Sequence, residues 1–188
     1  MLKRDDTRQR MLTSALALLR ERGANGVTLD AVLAHSGAPR GSIYHHFPGG
    51  RDQLVVEAAA IGGDLVADIL EHHGGDPGAA LNELVAFWKQ LLHDSDYRAG
   101  CPVVALAIDG QERIPEAAEQ TRQVFGRMTT EMVRILRDAG ASEGHAHSMA
   151  TVAIAALEGA VILCRVQQST QPLDDVAALL ESQLAMLA

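Results

Sequence analysis

The densest chemistry in this chain of 188 residues lies in Arg40-Gly41-Ser42-Ile43-Tyr44-His45-His46-Phe47 and in Arg51 just beyond it. An arginine can donate two hydrogen bonds to a guanine edge or one to a phosphate. Gly41 lets a backbone approach closely, and Ser42 and Tyr44 carry hydroxyls. Ile43 and Phe47 stand four residues apart, the spacing of one helix face, so they can anchor a short helix. Arg40, Ser42, Tyr44, His45 and possible neighbours such as His46 are left for its outer face. Arg51 follows the helix and is placed to hold a phosphate. The eight His, with His45-His46, His72-His73 and His145-x-His147 as pairs, do not converge with the two Cys into the three or four ligands that zinc needs. No metal or other cofactor is therefore expected. No nucleophile elbow or phosphate-binding glycine loop is present, so the chain does not read as an enzyme.

Charge points the same way as the reading segment. Residues 1–51 carry eight basic side chains (Lys3, Arg4, Arg8, Arg10, Arg20, Arg22, Arg40, Arg51) against four acidic ones (Asp5, Asp6, Glu21, Asp30), a balance of +4. The remainder carries −12, which brings the whole to its net charge of −8. A basic head on an acidic body suggests one end that meets a polyanion and a body that repels it.

Elements that position these groups follow from apolar spacing and helix punctuation. Leu12, Ala15, Leu16 and Leu19 share a face of a helix over residues 7–22, ended by Gly23. Thr28 suits the N-cap of a second helix, residues 29–36, which Gly37-Ala38 breaks. Pro39 can open the first turn of a third, about residues 40–47, closed by Pro48-Gly49-Gly50. Two short helices about a tight glycine turn make a helix-turn-helix, whose second helix enters the major groove of DNA. A plain structural helical hairpin has the same pattern.

Beyond it, Leu54, Ala58, Ile61 and Leu65 align on a fourth helix, residues 52–70. Further helices are expected over 79–93, 102–108, 115–139, 142–168 and 172–187, with a buried strand as the alternative over 102–108. No segment alternates as a strand would. The chain reads as all-α with about nine helices: an N-terminal three-helix helix-turn-helix domain, residues 1–50, and a C-terminal regulatory and dimerisation bundle, residues 51–188. Residues 149–166 are apolar enough to be borderline for a membrane span, but Glu158 in the middle favours a buried core helix. No signal peptide is visible, so the expected location is the cytoplasm, without a membrane partner.

The body offers candidates for sensing and assembly. Trp88, Phe125, Met128 and Met132 can line an apolar cavity between helices or simply pack a core. Glu158 is the odd charge on its helix and can face a ligand's polar group or an arginine across a dimer. Cys101 opens an apolar helix, where a thiol's pKa can fall. It joins the candidate sensing residues and carries the alternative of a redox-sensing regulator; Cys164 reads as core. A helical-bundle hydrolase using Cys101 and a His is the remaining enzyme reading. Leu157, Val161 and Leu180 are the candidate centre of a homodimer interface formed by the last two helices. Asp109-Gly110-Gln111-Glu112 reads as a solvated loop.

Thr28-Leu29-Asp30-Ala31-Val32, Gly37 to Phe47 and Arg51-Asp52-Gln53-Leu54 closely resemble the DNA-binding signature of TetR-like regulators. Gly100-Cys101-Pro102 and Leu157-Glu158-Gly159-Ala160 resemble the subgroup around the lincomycin-resistance repressor. The resemblance implies a homodimer on a palindromic double-stranded DNA operator, a small-molecule effector in the C-terminal body, and repression as the mode of control. It places Thr28, Arg40, Ser42, Tyr44, His45 and Arg51 at DNA-contacting positions. Two departures stand out. Pro39 replaces a common hydroxyl cap, and Pro48-Gly49-Gly50 is one residue longer than the commonest loop.

Overall fold

A computed structural model describes residues 2–73 and 75–187, with side chains from Asp6 onward. The side chains of Lys3 and Arg4, part of the basic head, lie outside the described residues. Among these residues the chain forms nine α-helices and no strand: α1 Leu2–Gly26, α2 Leu29–Ser36, α3 Ile43–His46, α4 Gly50–His72, α5 Pro77–Asp94, α6 Pro102–Asp109, α7 Ala117–Asp138, α8 Glu143–Gln167 and α9 Gln171–Leu184. A 3-10 turn, Arg40–Ser42, leads into α3. The segment over residues 40–47 is thus split rather than one α-helix. Pro39 is extended (φ −64°, ψ 135°) and Gly41 is a poor helix former, so the tighter turn starts the element.

By contact the chain divides into two units. The first holds residues up to Gly63 together with Cys101–Arg122; the second holds Asp64–Gly100 and the rest of the chain. The boundary expected at residue 50 falls inside the first unit. Its core joins Met11, Leu12, Ala15 and Leu19 of α1 to Val32, Ile43, Phe47, Leu54 and Ala58, and also to Leu106, Ile114 and Ala117 from α6 and the segment after it. The break in α1 sits at Gly23, where φ is +72°, a conformation that strains side-chain-bearing residues. Thr28 caps α2 by accepting from the Ala31 N–H at 3.1 Å, and Gly37 (φ +64°) ends it.

In the second unit Asp76 caps α5 at the Ala79 N–H, 2.9 Å away, with Pro77 in the first turn. Leu81, Leu84, Val85, Trp88 and Leu92 of α5 point inward, and α9 packs on both α5 and α8. Leu65, expected on the buried stripe of α4, is 41% exposed. Ser142 precedes α8 but makes no side-chain cap. The helix α8 is long and apolar enough to cross a membrane by length and composition. One face of it, Ala146, Ala150, Leu157, Ala160, Val161 and Cys164, is buried within the protein.

Burial bears on the residues expected at the interface. Leu157, Val161 and Leu180 are 4%, 1% and 8% exposed in the single chain, so they fill the interior of the bundle. The exposed side of α8 carries Val152, Ala155, Gly159, Ile162 and Val166. These are spaced three, four, three and four residues apart, the spacing of a helix–helix seam.

Candidate nucleic-acid interface and effector cavity

The reading segment is built from two buried anchors and a set of exposed side chains. Ile43 is 2% exposed and Phe47 is fully buried, which fixes the rotation of α3. Arg40, Gly41, Tyr44 and His45 are exposed, with Ser42 half-buried. The Arg40 guanidinium pairs with Asp30 on α2 at 2.5 Å. Ser42 donates its hydroxyl to the Pro39 carbonyl at 2.6 Å, so toward any ligand its oxygen is left as an acceptor. Thr28 spends acceptor capacity on its cap and keeps a hydroxyl proton to donate. The extra loop glycine, Gly50, has φ +65°, and a Cβ there would stand 3.5 Å from the Tyr44 ring.

The segment is braced from behind. Arg8 lies 5.0 Å from the centre of the Phe47 ring and also pairs with Glu57. Gln53 links Glu57 to the backbone N–H of Gly49, each bond 2.8 Å. His35 and Ser14 join α2 to α1 at 2.9 Å.

Gly41 has no steric reason to be glycine. A Cβ built there meets nothing within 4 Å, and its backbone is not left-handed. Gly41→Ala is therefore expected to leave the thermal midpoint unchanged or slightly raised, since Ala is the better helix former. It should weaken operator binding about tenfold, equivalent to about 1.4 kcal/mol, if the empty space is filled by DNA. Thermal unfolding and titration of a labelled duplex check the two halves; unchanged affinity would remove Gly41 from the reading face.

Arg51 does not project from the reading face. Its Nε donates to the Val27 carbonyl at 2.7 Å, one terminal nitrogen donates to the Ala24 carbonyl, and the other to Asp52 at 3.0 Å. With three partners inside the protein, this guanidinium ties α4 to the turn between α1 and α2. Asp109 holds the same turn through its opposite polarity. Its carboxylate accepts from the Ala24 N–H at 3.2 Å, and a Cβ at Gly23 would stand 2.5 Å from it. Arg113 adds a bond to Asn25 at 3.2 Å. Asp109 is thus a structural cap and not part of a solvated loop. The readable signal was Gly23 with Asn25-Gly26: a helix broken there exposes N–H groups that need an acceptor.

In the second unit Trp88, Met128, Met132 and Glu158 come together around one small cavity. Leu84, Met132 and Leu157 are shared with a larger cavity that is partly open. Phe125 is half-buried and lines neither; Cys101 belongs to the first unit and also lines neither. Glu158 is half-buried and already has an interaction partner. Cys101 stands at the N-cap position of α6, ahead of Pro102. Burial lowers the pKa of the nearby Arg20, an effect opposed by charge on Cys101, and the Arg20 Nε is buried without a hydrogen-bond partner. Burial raises the pKa of the Cys164 thiol, opposed by a backbone hydrogen bond at Leu173. Among the described residues no group of three or more His, Cys, Asp or Glu is arranged to hold a metal ion.

Comparison with known proteins gives two family matches. Residues 11–58 match the bacterial regulatory proteins of the tetR family, and residues 77–179 match the LmrA/YxaF-like C-terminal domain of transcriptional regulators. An uncharacterized HTH-type transcriptional regulator of Mycobacterium tuberculosis (strain H37Rv), Rv0196, is 40% identical over 173 residues, covering 89% of this chain and 88% of its own. The HTH-type transcriptional regulator LmrA of Bacillus subtilis (strain 168) is 30% identical over 175 residues, covering 89% and 91%. The fold is similar to the crystal structure of a TetR transcriptional regulator from Legionella pneumophila, with a TM-score of 0.80 at 20% identity over 93% of this chain and 95% of that one. The chain therefore belongs to the TetR family of DNA-binding transcriptional regulators, and its C-terminal domain is of the LmrA/YxaF type.

Proposed function

We propose that this protein is a cytoplasmic, ligand-responsive repressor that holds a palindromic operator as a homodimer and releases it when a small molecule enters the second unit. The reading segment carries the first part of the proposal. Arg40, Tyr44 and His45 are exposed on an element whose rotation Ile43 and Phe47 fix, the arrangement that direct readout of a major groove needs. The Val152-to-Val166 stripe supports the dimer, because an apolar 3-4 seam left bare in one chain is covered by its two-fold mate. Two readers must then fit major grooves about 34–36 Å apart. Because α4 and α7 each begin in one unit and end in the other, they are helical routes by which ligand entry would alter that spacing. Release requires that the ligand bind the non-reading conformation more tightly.

Recovery of genomic DNA bound by the protein supplies the operator, and a reporter driven from it distinguishes repression from activation. On that operator Arg40→Ala should cost about 1–3 kcal/mol, roughly 5- to 150-fold in affinity, and relax the preference at one base position. Asp30 holds Arg40 in the absence of DNA, so Asp30→Ala should alter the same position and no other. If Arg40→Ala binds the operator as wild type does, with preference unchanged, the reading face lies elsewhere.

A further inference from the structure

If the second unit senses a small molecule, as proposed above, its cavities restrict the chemistry of that molecule. We infer that the larger cavity is a binding site for an uncharged aliphatic chain, and that the effector is of this class rather than an apolar cation. The inference rests on the preceding reading of the second unit as the sensor.

The lining carries the argument. Among the described residues all thirteen side chains around this cavity are Leu, Ile, Met, Ala or Pro. Leu70 and Leu81 face it from α4 and α5, Met149 and Ala153 from α8, and Leu180 and Leu184 from α9. None of these side chains donates or accepts a strong hydrogen bond. Water placed there would lack side-chain partners, and cavities so lined stay dry and take apolar guests. An ion would shed its hydration and gain nothing in exchange. No aromatic ring lines the cavity, so it offers a flat aromatic guest no stacking partner.

The neighbouring cavity does not restore a preference for cations. Glu158 borders it, but this residue is half-buried and already takes part in an interaction within the protein. A cation would have to displace that interaction before gaining from the charge. The two cavities are separated by Leu84, Met132 and Leu157, which line both. Met132 is unbranched and can change rotamer at little cost, so a long chain has a route from one cavity toward Trp88 in the other.

The test uses 1-alkanols from hexanol to dodecanol and alkyltrimethylammonium ions of matched chain length, added to the full-length protein. Binding is read by calorimetry and by the fluorescence of Trp88, the sole tryptophan of the chain. Release of a labelled operator duplex is read in parallel. Alkanols should bind about fourfold tighter per added methylene until the cavity is full. The matched cations should bind at least tenfold more weakly. Ala153→Phe, which fills the cavity, should weaken alkanol binding at least tenfold. Ala153→Leu serves the same purpose should the Phe variant fail to fold. Cations binding as tightly as alkanols, or alkanol binding untouched by filling at Ala153, overturns the inference. Alkanols that bind with this chain-length dependence and leave the duplex bound would support the site and overturn the effector reading beneath it.

Discussion

Replacing Ile162 by Glu should yield folded monomers that have lost the operator. Ile162 is 50% exposed and lies mid-way along the bare seam of α8, between Gly159 and Val166. A Cβ at Gly159 meets nothing within 4 Å, so a second helix can approach closely there. Two-fold symmetry places any new charge in the seam twice, and both carboxylates would have to be desolvated. In a dimer the second reader binds as an intramolecular event, and losing it should reduce affinity by about 10²- to 10⁴-fold. Leu157→Glu gives the contrast. That side chain is 4% exposed, so its replacement should prevent folding altogether. Sedimentation velocity, circular dichroism and anisotropy titration of the duplex separate the two outcomes. An Ile162→Glu protein that remains dimeric and binds as wild type does would show that the seam is not the interface.

The second large effect is expected at Arg51. Arg51→Ala removes three donors, two of them to the carbonyls of Ala24 and Val27. Hydrogen bonds from a charged donor contribute about 1.5–3 kcal/mol each, reduced here because the side chain is 30% exposed. The first unit should lose about 2–3 kcal/mol on these terms, and affinity for every duplex should fall together. The salt dependence discriminates between this bracing role and a phosphate contact. A lost phosphate contact lowers the slope of log K against log salt by about 0.9, whereas a lost internal brace leaves the slope alone. Arg51→Lys keeps the charge but cannot fork to both carbonyls, so it should rescue little. A variant with an unchanged thermal midpoint and a slope reduced by about one would return Arg51 to the phosphate backbone.

Much of the frame was legible because it depends on local rules. Thr28 as N-cap and Gly37 as terminator bound α2 at the expected residues. The four-residue spacing of Ile43 and Phe47 correctly gave the anchors of the reading segment. Of Trp88, Phe125, Met128 and Met132, grouped as a possible cavity lining, all but Phe125 border one cavity, and Glu158, singled out as the odd charge, borders it too. What failed depended on partners distant in sequence. Arg51 looks like any exposed arginine after a DNA-reading helix until the turn at residues 24–27 is folded against it. Asp109 sits 85 residues from the N–H that it caps. The inner and outer faces of α8 were not legible for a different reason. α8 is apolar on nearly every side, so periodicity could not say which apolar face turns inward. Leu157 and Val161 took the inner one and Ile162 and Val166 the outer.

The core of the first unit sets the order in which a newly made chain can become useful. Residues up to Gly63 contain the whole reading segment, yet Leu106, Ile114 and Ala117 complete the core that steadies it. On the ribosome, Met11, Leu19 and Leu54 emerge long before these three partners, and must wait with apolar surface uncovered. A chain ended by a stop codon between Gly63 and Leu106 would carry every base-reading side chain without the means to hold them in place. Alleles of that kind should behave as simple losses, and not as fragments that occupy the operator in competition with the intact protein.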